Sequence, residues 1–151
     1  MADTLKLDDF LPYRLSIASN RVSGAIATAY HALFGLRIPE WRLVAVLAEG
    51  GEMTQRAIGH VTQMDKVTVS RAAIVLVERG LAARSPNEDD QRSHHLSLTK
   101  AGRRLYDEVA PMALAIDHQI FEGFSRDELA TLRAMLERLE KAATALEVDQ
   151  G

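Results

Sequence analysis

Apolar residues recur every three or four positions through both ends of this chain, and every second position in one short stretch between them. Leu15, Ala18, Val22, Ile26, Ala29 and Leu33 trace a stripe along a helix that the pattern starts near Pro12, with Asp8 or Asp9 as its acidic cap. Leu129, Leu132, Leu136 and Leu139 trace another, opened by the capping box Ser125-Arg126-Asp127-Glu128. Before it, Thr99 is placed to cap a helix running to about Phe124, which Pro111 interrupts or kinks. These ends carry more apolar surface than one small domain needs, so the N- and C-terminal helices of two chains are expected to interlock as an obligate dimer.

In the middle of the chain the elements are shorter and their boundaries sharper. Asp65 starts a helix, because its carboxylate can accept from the free N–H groups of the next turn, while Met64 and Val69 stand where a hydrophobic staple forms. At 100° per residue, Val69, Ala72, Ala73 and Leu76 share one face, and Val67, Thr68, Arg71 and Glu78 the other. Gly80 supplies the left-handed stop. Upstream, Thr54-Gln55-Arg56-Ala57-Ile58-Gly59-His60-Val61 predicts a short capped helix, and Thr62-Gln63-Met64 turns it into the next, which makes a helix-turn-helix. The second helix suits the major groove: Arg forks onto guanine, Thr bonds a base or touches a thymine methyl, and Lys66 meets a phosphate. A cap, two cations and an apolar stripe also describe many ordinary surface helices, so it is the neighbouring elements that favour DNA.

Residues 81–85 and 94–98 flank the turn-forming, charged segment 86–93 and read as a hairpin. By the two-residue period His94, Leu96 and Leu98 share one face, with Leu96 and Leu98 packing inward, and His95 and Ser97 take the other. Arg92 falls near the tip, where a cation enters the narrow, electronegative minor groove while Asp90 holds its guanidinium. Helix-turn-helix plus hairpin is a winged helix.

In these residues the chain resembles the MarR (multiple antibiotic resistance regulator) family of bacterial transcription factors. The resemblance is carried by Asp65-Lys66-x-Thr68-Val69-Ser70-Arg71, Arg79-Gly80-Leu81, Asp90-x-Arg92 and Leu96-x-Leu98-Thr99-x-x-Gly102, and it covers almost the whole chain. Leu36-Arg37-Ile38-Pro39-Glu40-Trp41-Arg42 is also similar to the family's entry into its second helix, with Pro in the first turn. The resemblance implies a mainly α fold with a minor β part, in one domain over residues 1–151. Residues 1–35 and 99–151 would be mainly dimerisation helices, and 36–98 the winged helix-turn-helix lobe. It implies double-stranded DNA and a second copy of the chain as partners. The expected DNA contacts are Thr54, Gln55, Arg56, Lys66, Val67, Thr68, Ser70, Arg71, Arg84, Asp90, Arg92 and His95. The family often holds small aromatic or phenolic anions near its first, second and fifth helices; here that implies Tyr13, Arg14, His31, Arg37, Trp41 and Arg42 around an effector. Core packing is the plainer role for Trp41, and solvation for each of the cations. The chain departs from the family at Ile74-Val75, where relatives often carry polar residues and a phosphate contact is lost. At Gly59-His60 a helix-interior glycine costs about 1 kcal/mol relative to Ala, so a loosely held first helix is expected.

Length and composition agree with one domain: 151 residues, 47% of them apolar, are enough for a sizeable core. No apolar run reaches the ~20 residues of a membrane span, and the acidic, polar start is unlike a signal peptide, so a cytoplasmic protein is expected. The absence of cysteine excludes disulfides, thiolate metal sites and thiol-based oxidation sensing. The net charge of -3 divides unevenly: residues 54–104 hold nine Lys/Arg against five acids, which is +4 and leaves -7 for the rest. A basic reading face on an acidic body fits a locally attracted polyanion.

His94-His95 beside Asp89-Asp90, with His31, His60 and His118, raise a metal-responsive regulator as an alternative. Adjacent strand residues point to opposite faces, so His94 and His95 do not easily share an ion; no metal or cofactor is expected. An enzyme is not expected either, since the chain has no phosphate loop, H-E-x-x-H or G-x-S-x-G. A further alternative makes the winged helix a protein-interaction module through Ile74-Val75. The favoured reading is a homodimeric regulator, more often repressor than activator, on a pseudo-palindromic site, released by a small-molecule effector.

Overall fold

A computed structural model describes residues 3–86, 88 and 94–150. Contacts divide the chain into two compact units that part between Leu114 and Ala115. The first opens with a 3-10 turn, Leu7–Asp9, followed by α1 (Leu11–Phe34), α2 (Ile38–Gly50), β1 (Met53–Thr54), α3 (Gln55–Thr62), α4 (Lys66–Glu78), β2 (Ala82–Pro86), β3 (His94–Leu98) and the start of α5 (Lys100–Ile120). Neither Asp8 nor Asp9 caps α1: both belong to the 3-10 turn, and Phe10 stands at the cap without a side-chain bond. The turn satisfies its own backbone, Asp9 N–H donating to Lys6 O at 3.1 Å and Phe10 N–H to Leu7 O at 3.0 Å, and Pro12 has no N–H to satisfy. Gly35 ends α1 at φ 62°, a left-handed conformation that suits glycine.

The core lies where α2 crosses α4. Leu43, Val44 and Leu47 of α2 are buried with Val69, Ala72, Ala73 and Leu76 of α4; Ile58 of α3 and Leu96 of β3 join the same cluster. Each Leu- or Ile-sized side chain so buried is favoured by roughly 1.5–3 kcal/mol. Tyr30, Leu36 and Val109 extend the cluster toward α1 and α5. Trp41 sits between two tyrosines, 5.4 Å from the Tyr30 ring and 5.8 Å from a nearly parallel Tyr106 ring.

The three strands form an antiparallel sheet in the order β1-β3-β2, with Met53 opposite Leu96, Thr54 opposite His95, and Ala82 to Pro86 opposite Leu98 to His94. The hairpin starts one residue later than the pattern predicts, because Leu81 is used in stopping α4. Leu81 N–H donates to Leu76 O at 2.9 Å and Gly80 N–H to Val77 O at 3.0 Å, with Gly80 at φ 72°. This is a Schellman stop, and its apolar partners Leu76 and Leu81 are both buried.

Thr99 fastens α5 to that stop. Its N–H donates to Leu81 O at 3.1 Å, its hydroxyl donates to Gly80 O at 2.6 Å, and the same oxygen accepts from Gly102 N–H at 3.1 Å. The backbones then pass so closely that a Cβ on Gly102 would collide with the Leu81 carbonyl oxygen and come within 3.1 Å of the Leu98 side chain. Immediately before the stop, the Arg79 guanidinium donates to Phe34 O at 3.0 Å and Gly35 O at 3.3 Å, tying the end of α4 to the end of α1.

Pro111 lies inside α5 without ending it, and α5 stops at Ile120 rather than near Phe124. Phe121 N–H still bonds Asp117 O, but Phe124 N–H turns back to Phe121 O at 3.0 Å, and the Phe121 and Phe124 rings meet edge to face at 5.7 Å. In the second unit the capping box forms as expected: Glu128 N–H donates to Ser125 Oγ at 3.1 Å and Ser125 N–H to Glu128 Oε1 at 2.9 Å. It opens α6 (Arg126–Gln150), along which Leu132, Met135, Leu136 and Leu139 are exposed. Among the described residues no helix is long and apolar enough to cross a membrane.

Two glycine substitutions separate space from propensity. Gly102→Ala is expected to lower stability by about 3 kcal/mol or more in a denaturant melt, since a backbone carbonyl cannot yield as a side chain does. Gly59→Ala meets Met64 O at 3.4 Å and Val69 Cγ2 at 3.8 Å, ordinary contact distances, and is expected to raise stability by roughly 0.5–1 kcal/mol.

Candidate nucleic-acid interface

The two helices of the helix-turn-helix are each started by their own side-chain cap. Thr54 Oγ1 accepts from Ala57 N–H at 3.1 Å, and Asp65 Oδ1 accepts from Thr68 N–H at 2.8 Å. Between them Gln63 takes a left-handed conformation, φ 57°, and its side-chain amide donates to His60 O at 2.6 Å, closing the end of α3. Gly59 is where α3 comes down on Met64 and Val69. Burial of Val69, Ala72, Ala73 and Leu76 directs the other side of α4 to solvent, so Lys66, Val67 and Arg71 are exposed.

The start of α3, the outer side of α4 and the wing strands enclose a hollow of about 450 Å³. Gln55 and Arg56 come from α3, Lys66, Ser70 and Ile74 from α4, Arg84 from β2 and His94 from β3. Five of the twelve expected DNA contacts, namely Gln55, Arg56, Lys66, Ser70 and Arg84, thus line one concavity, and three of them are cations. Of the other seven, five belong to the described residues. Val67 and Arg71 stand exposed on α4, and Thr54 is occupied as a cap. Thr68 turns its hydroxyl back to Asp65 Oδ2 at 2.9 Å, and His95 is half-buried within the sheet. Asp90 and Arg92 lie outside the described residues, as does Asp89.

The sequence reading did not include Ile74 and His94 in the interface. The two-residue period put His94 on the inward face with Leu96, but at the last rung of the sheet that face has run past the core, and His94 is exposed. Ile74 lies seven residues beyond Val67, two helical turns on, so the period alone contained the signal. On the wing's other side, Ser85 Oγ hydrogen-bonds the Glu52 carboxylate, anchoring β2 to the segment before β1.

The residues expected around an effector are not brought together within one chain. His31 and Arg37 line an open groove of about 630 Å³ at the junction of α1 and α2, with Thr28, Leu36 and Pro39. Trp41 packs against Tyr30 and Tyr106 instead, which is the plainer role. Tyr13 and Arg14 lie near the other end of α1, about 27 Å from His31 at 1.5 Å per residue. Among the described residues no three His, Asp or Glu side chains gather as a metal site.

A family model described as MarR family matches residues 34–93. The chain is 32% identical over 95 residues to the HTH-type transcriptional regulator YwoH of Bacillus subtilis, a match that covers 63% of this chain and 68% of YwoH. It is similar to the crystal structure of a MarR family transcriptional regulator from Silicibacter pomeroyi DSS, with 31% identity, TM-score 0.78, and coverage of 92% of this chain and 93% of that one. It is also similar to CouR from Rhodococcus jostii RHA1, solved bound to p-coumaroyl-CoA, with 26% identity, TM-score 0.78, and coverage of 90% and 95%.

The cap of α4 makes stability depend on pH. The Thr68 N–H, then the Thr68 hydroxyl, hold the Asp65 carboxyl below its ordinary value of 3.8. A carboxylate with a depressed folded pKa contributes stability that is present above the unfolded value and is lost as pH falls through the folded one. Thermal melts below about pH 4 are therefore expected to decline less steeply for Asp65→Asn than for the native chain; parallel curves would remove the linkage.

Proposed function

The chain belongs to the MarR family of transcriptional regulators, and on that premise we propose that it binds a pseudo-palindromic operator as a homodimer, represses transcription there, and is released by a small aromatic or phenolic anion. The observation that carries this reading is the hollow in which Arg56, Lys66 and Arg84 converge from α3, α4 and the wing. Cations held in fixed relation to an exposed recognition helix meet the phosphates on either side of a major groove, while the helix itself reaches base edges. The net charge of -3 does not oppose this, since residues 54–104 carry +4.

Dimerisation accounts for apolar surface that a lone chain leaves wet. Phe10, Leu11 and Leu15 are exposed at the N-terminal end, and Leu132, Met135, Leu136, Leu139 and Leu146 along α6. In the proposed division, residues 1–35 and 99–151 supply the dimer contact and 36–98 the reading lobe. Two lobes related by a two-fold axis read half-sites about one helical turn, ~34 Å, apart. An effector that favours a dimer with misplaced lobes lowers DNA affinity by the ratio of its affinities for the two states. The groove holding His31 and Arg37 suits an anion with an apolar body, and CouR, bound to an aromatic acyl thioester, is a relative with such a ligand.

Selection of bound duplexes from a random pool at physiological salt is expected to enrich an inverted repeat with half-sites one turn apart. No enrichment by an intact dimer would leave the winged helix to protein contacts. With the enriched duplex, Arg84→Ala, which removes one cation from each protomer of the dimer, is expected to lower affinity, to reduce the slope of log affinity against log salt by about 1.8, and to leave the melting temperature unchanged. The same titration tests Arg92, where Arg92→Ala is expected to cost affinity with little loss of stability.

A further inference from the structure

Val67 stands exposed on the recognition helix, on the side away from its buried stripe. At 100° per residue it lies about 160° around α4 from Val69, almost diametrically opposite the buried stripe, and it is 56% exposed. Arg71 and Ile74 follow it by four and seven residues on the same ridge, and Ile74 is 43% exposed. The leading edge of the helix is thus apolar, cationic and apolar, framed by the cations of the hollow that draw it onto a polyanion.

The neighbouring polar residue does not offset this. Thr68 gives its hydroxyl proton to Asp65 Oδ2 at 2.9 Å and its amide to Oδ1 at 2.8 Å, so it has no free donor for a base and its γ-methyl is available for apolar contact. The first turn of α4 therefore offers base edges the branched apolar side chain of Val67 and the methyl group of Thr68, beside the Lys66 ammonium. In the major groove the base that presents an apolar group is thymine, through its C5-methyl. A base edge that turns an amino donor toward Val67 loses its water without gaining a partner, which is unfavourable.

We propose that each operator half-site contains a thymine read through its 5-methyl group by Val67, with the Thr68 methyl beside it. This rests on the DNA-binding reading above and adds to it a specificity determinant. Arg71, one turn further along the ridge, matches an adjacent guanine, so the half-site combines a methyl-bearing step with a guanine step.

The test uses the full-length protein and the duplex enriched from the random pool, at fixed salt, with each thymine replaced in turn by deoxyuridine. That exchange removes the methyl group and keeps every hydrogen-bonding group. One thymine per half-site is expected to lose about fourfold in affinity, and roughly fifteenfold when both half-sites are changed, the loss of one buried methyl each. In Val67→Ala the deoxyuridine exchange becomes silent at that position. In Thr68→Val, which keeps the methyl and removes the hydroxyl, the thymine preference persists. Thermal melts establish that each variant is folded. Tolerance of deoxyuridine at every position, or an unchanged deoxyuridine effect in Val67→Ala, overturns the proposal while DNA binding stands. Failure of any duplex to enrich overturns the DNA-binding reading and this proposal with it.

Discussion

The close approach of Gly102 to Leu81 is the constraint from which the geometry of the reading lobe follows. Residues 80–81 end the recognition helix and begin the wing, and residues 99–102 end the wing and begin α5. Thr99 bonds both carbonyls of the first pair, and Gly102 lies against that of Leu81 with no room for a methyl group. Recognition helix, wing and α5 thus diverge from one point whose separations are set by backbone rather than by adjustable side chains. This explains why the family pattern contains Gly80, Thr99 and Gly102 together: a left-handed stop, a cap and a residue without a side chain are three requirements of one contact.

A fixed joint makes the positions of distant cations meaningful. Arg84 on β2 and Lys66 at the start of α4 are separated by the length of the recognition helix in sequence, yet they line the same hollow, because the Schellman stop and the sheet register leave β2 one direction to take. The same end of α4 is also held by Arg79, the residue before the stop, whose bonds to Phe34 and Gly35 connect it to the end of α1. Leu36 and Arg37, immediately beyond, line the groove with His31. A molecule that displaced this corner would act on the recognition helix through two hydrogen bonds.

How much of this was legible in the sequence depended on whether a signal was local. Both ends of α4 were readable, since Asp65 and Gly80 act within one turn of themselves, and the buried stripe between them follows from period alone. The start of α1 was not, because Asp8 and Asp9 carry the chemistry of a cap, yet the backbone around them closes its own 3-10 bonds. β1 was missed for a different reason: two residues have no period, and Met53 and Thr54 become a strand by pairing with Leu96 and His95, more than forty positions away. Gln55, Arg56, Lys66, Ser70 and Arg84 stood among twelve expected contacts, and that these five line one hollow depends on the packing of α3, α4 and β2, which no local signal contains. The grouping of Tyr13 and Arg14 with His31 came from resemblance, and the length of α1 separates them within one chain.

The charge distribution gives these parts a common orientation. A uniformly basic protein approaches DNA with any face, and its specific contacts compete with all the others. Here the segment outside 54–104 carries -7, so the rest of the surface is repelled by phosphate while the reading face is attracted. Repulsion narrows the set of encounter orientations, and few cations suffice to hold the right one. It also divides the labour among side chains. In the proposed reading Arg56, Lys66 and Arg84 supply the sequence-independent, salt-sensitive attraction, and discrimination falls to the ridge that carries Val67 and Arg71.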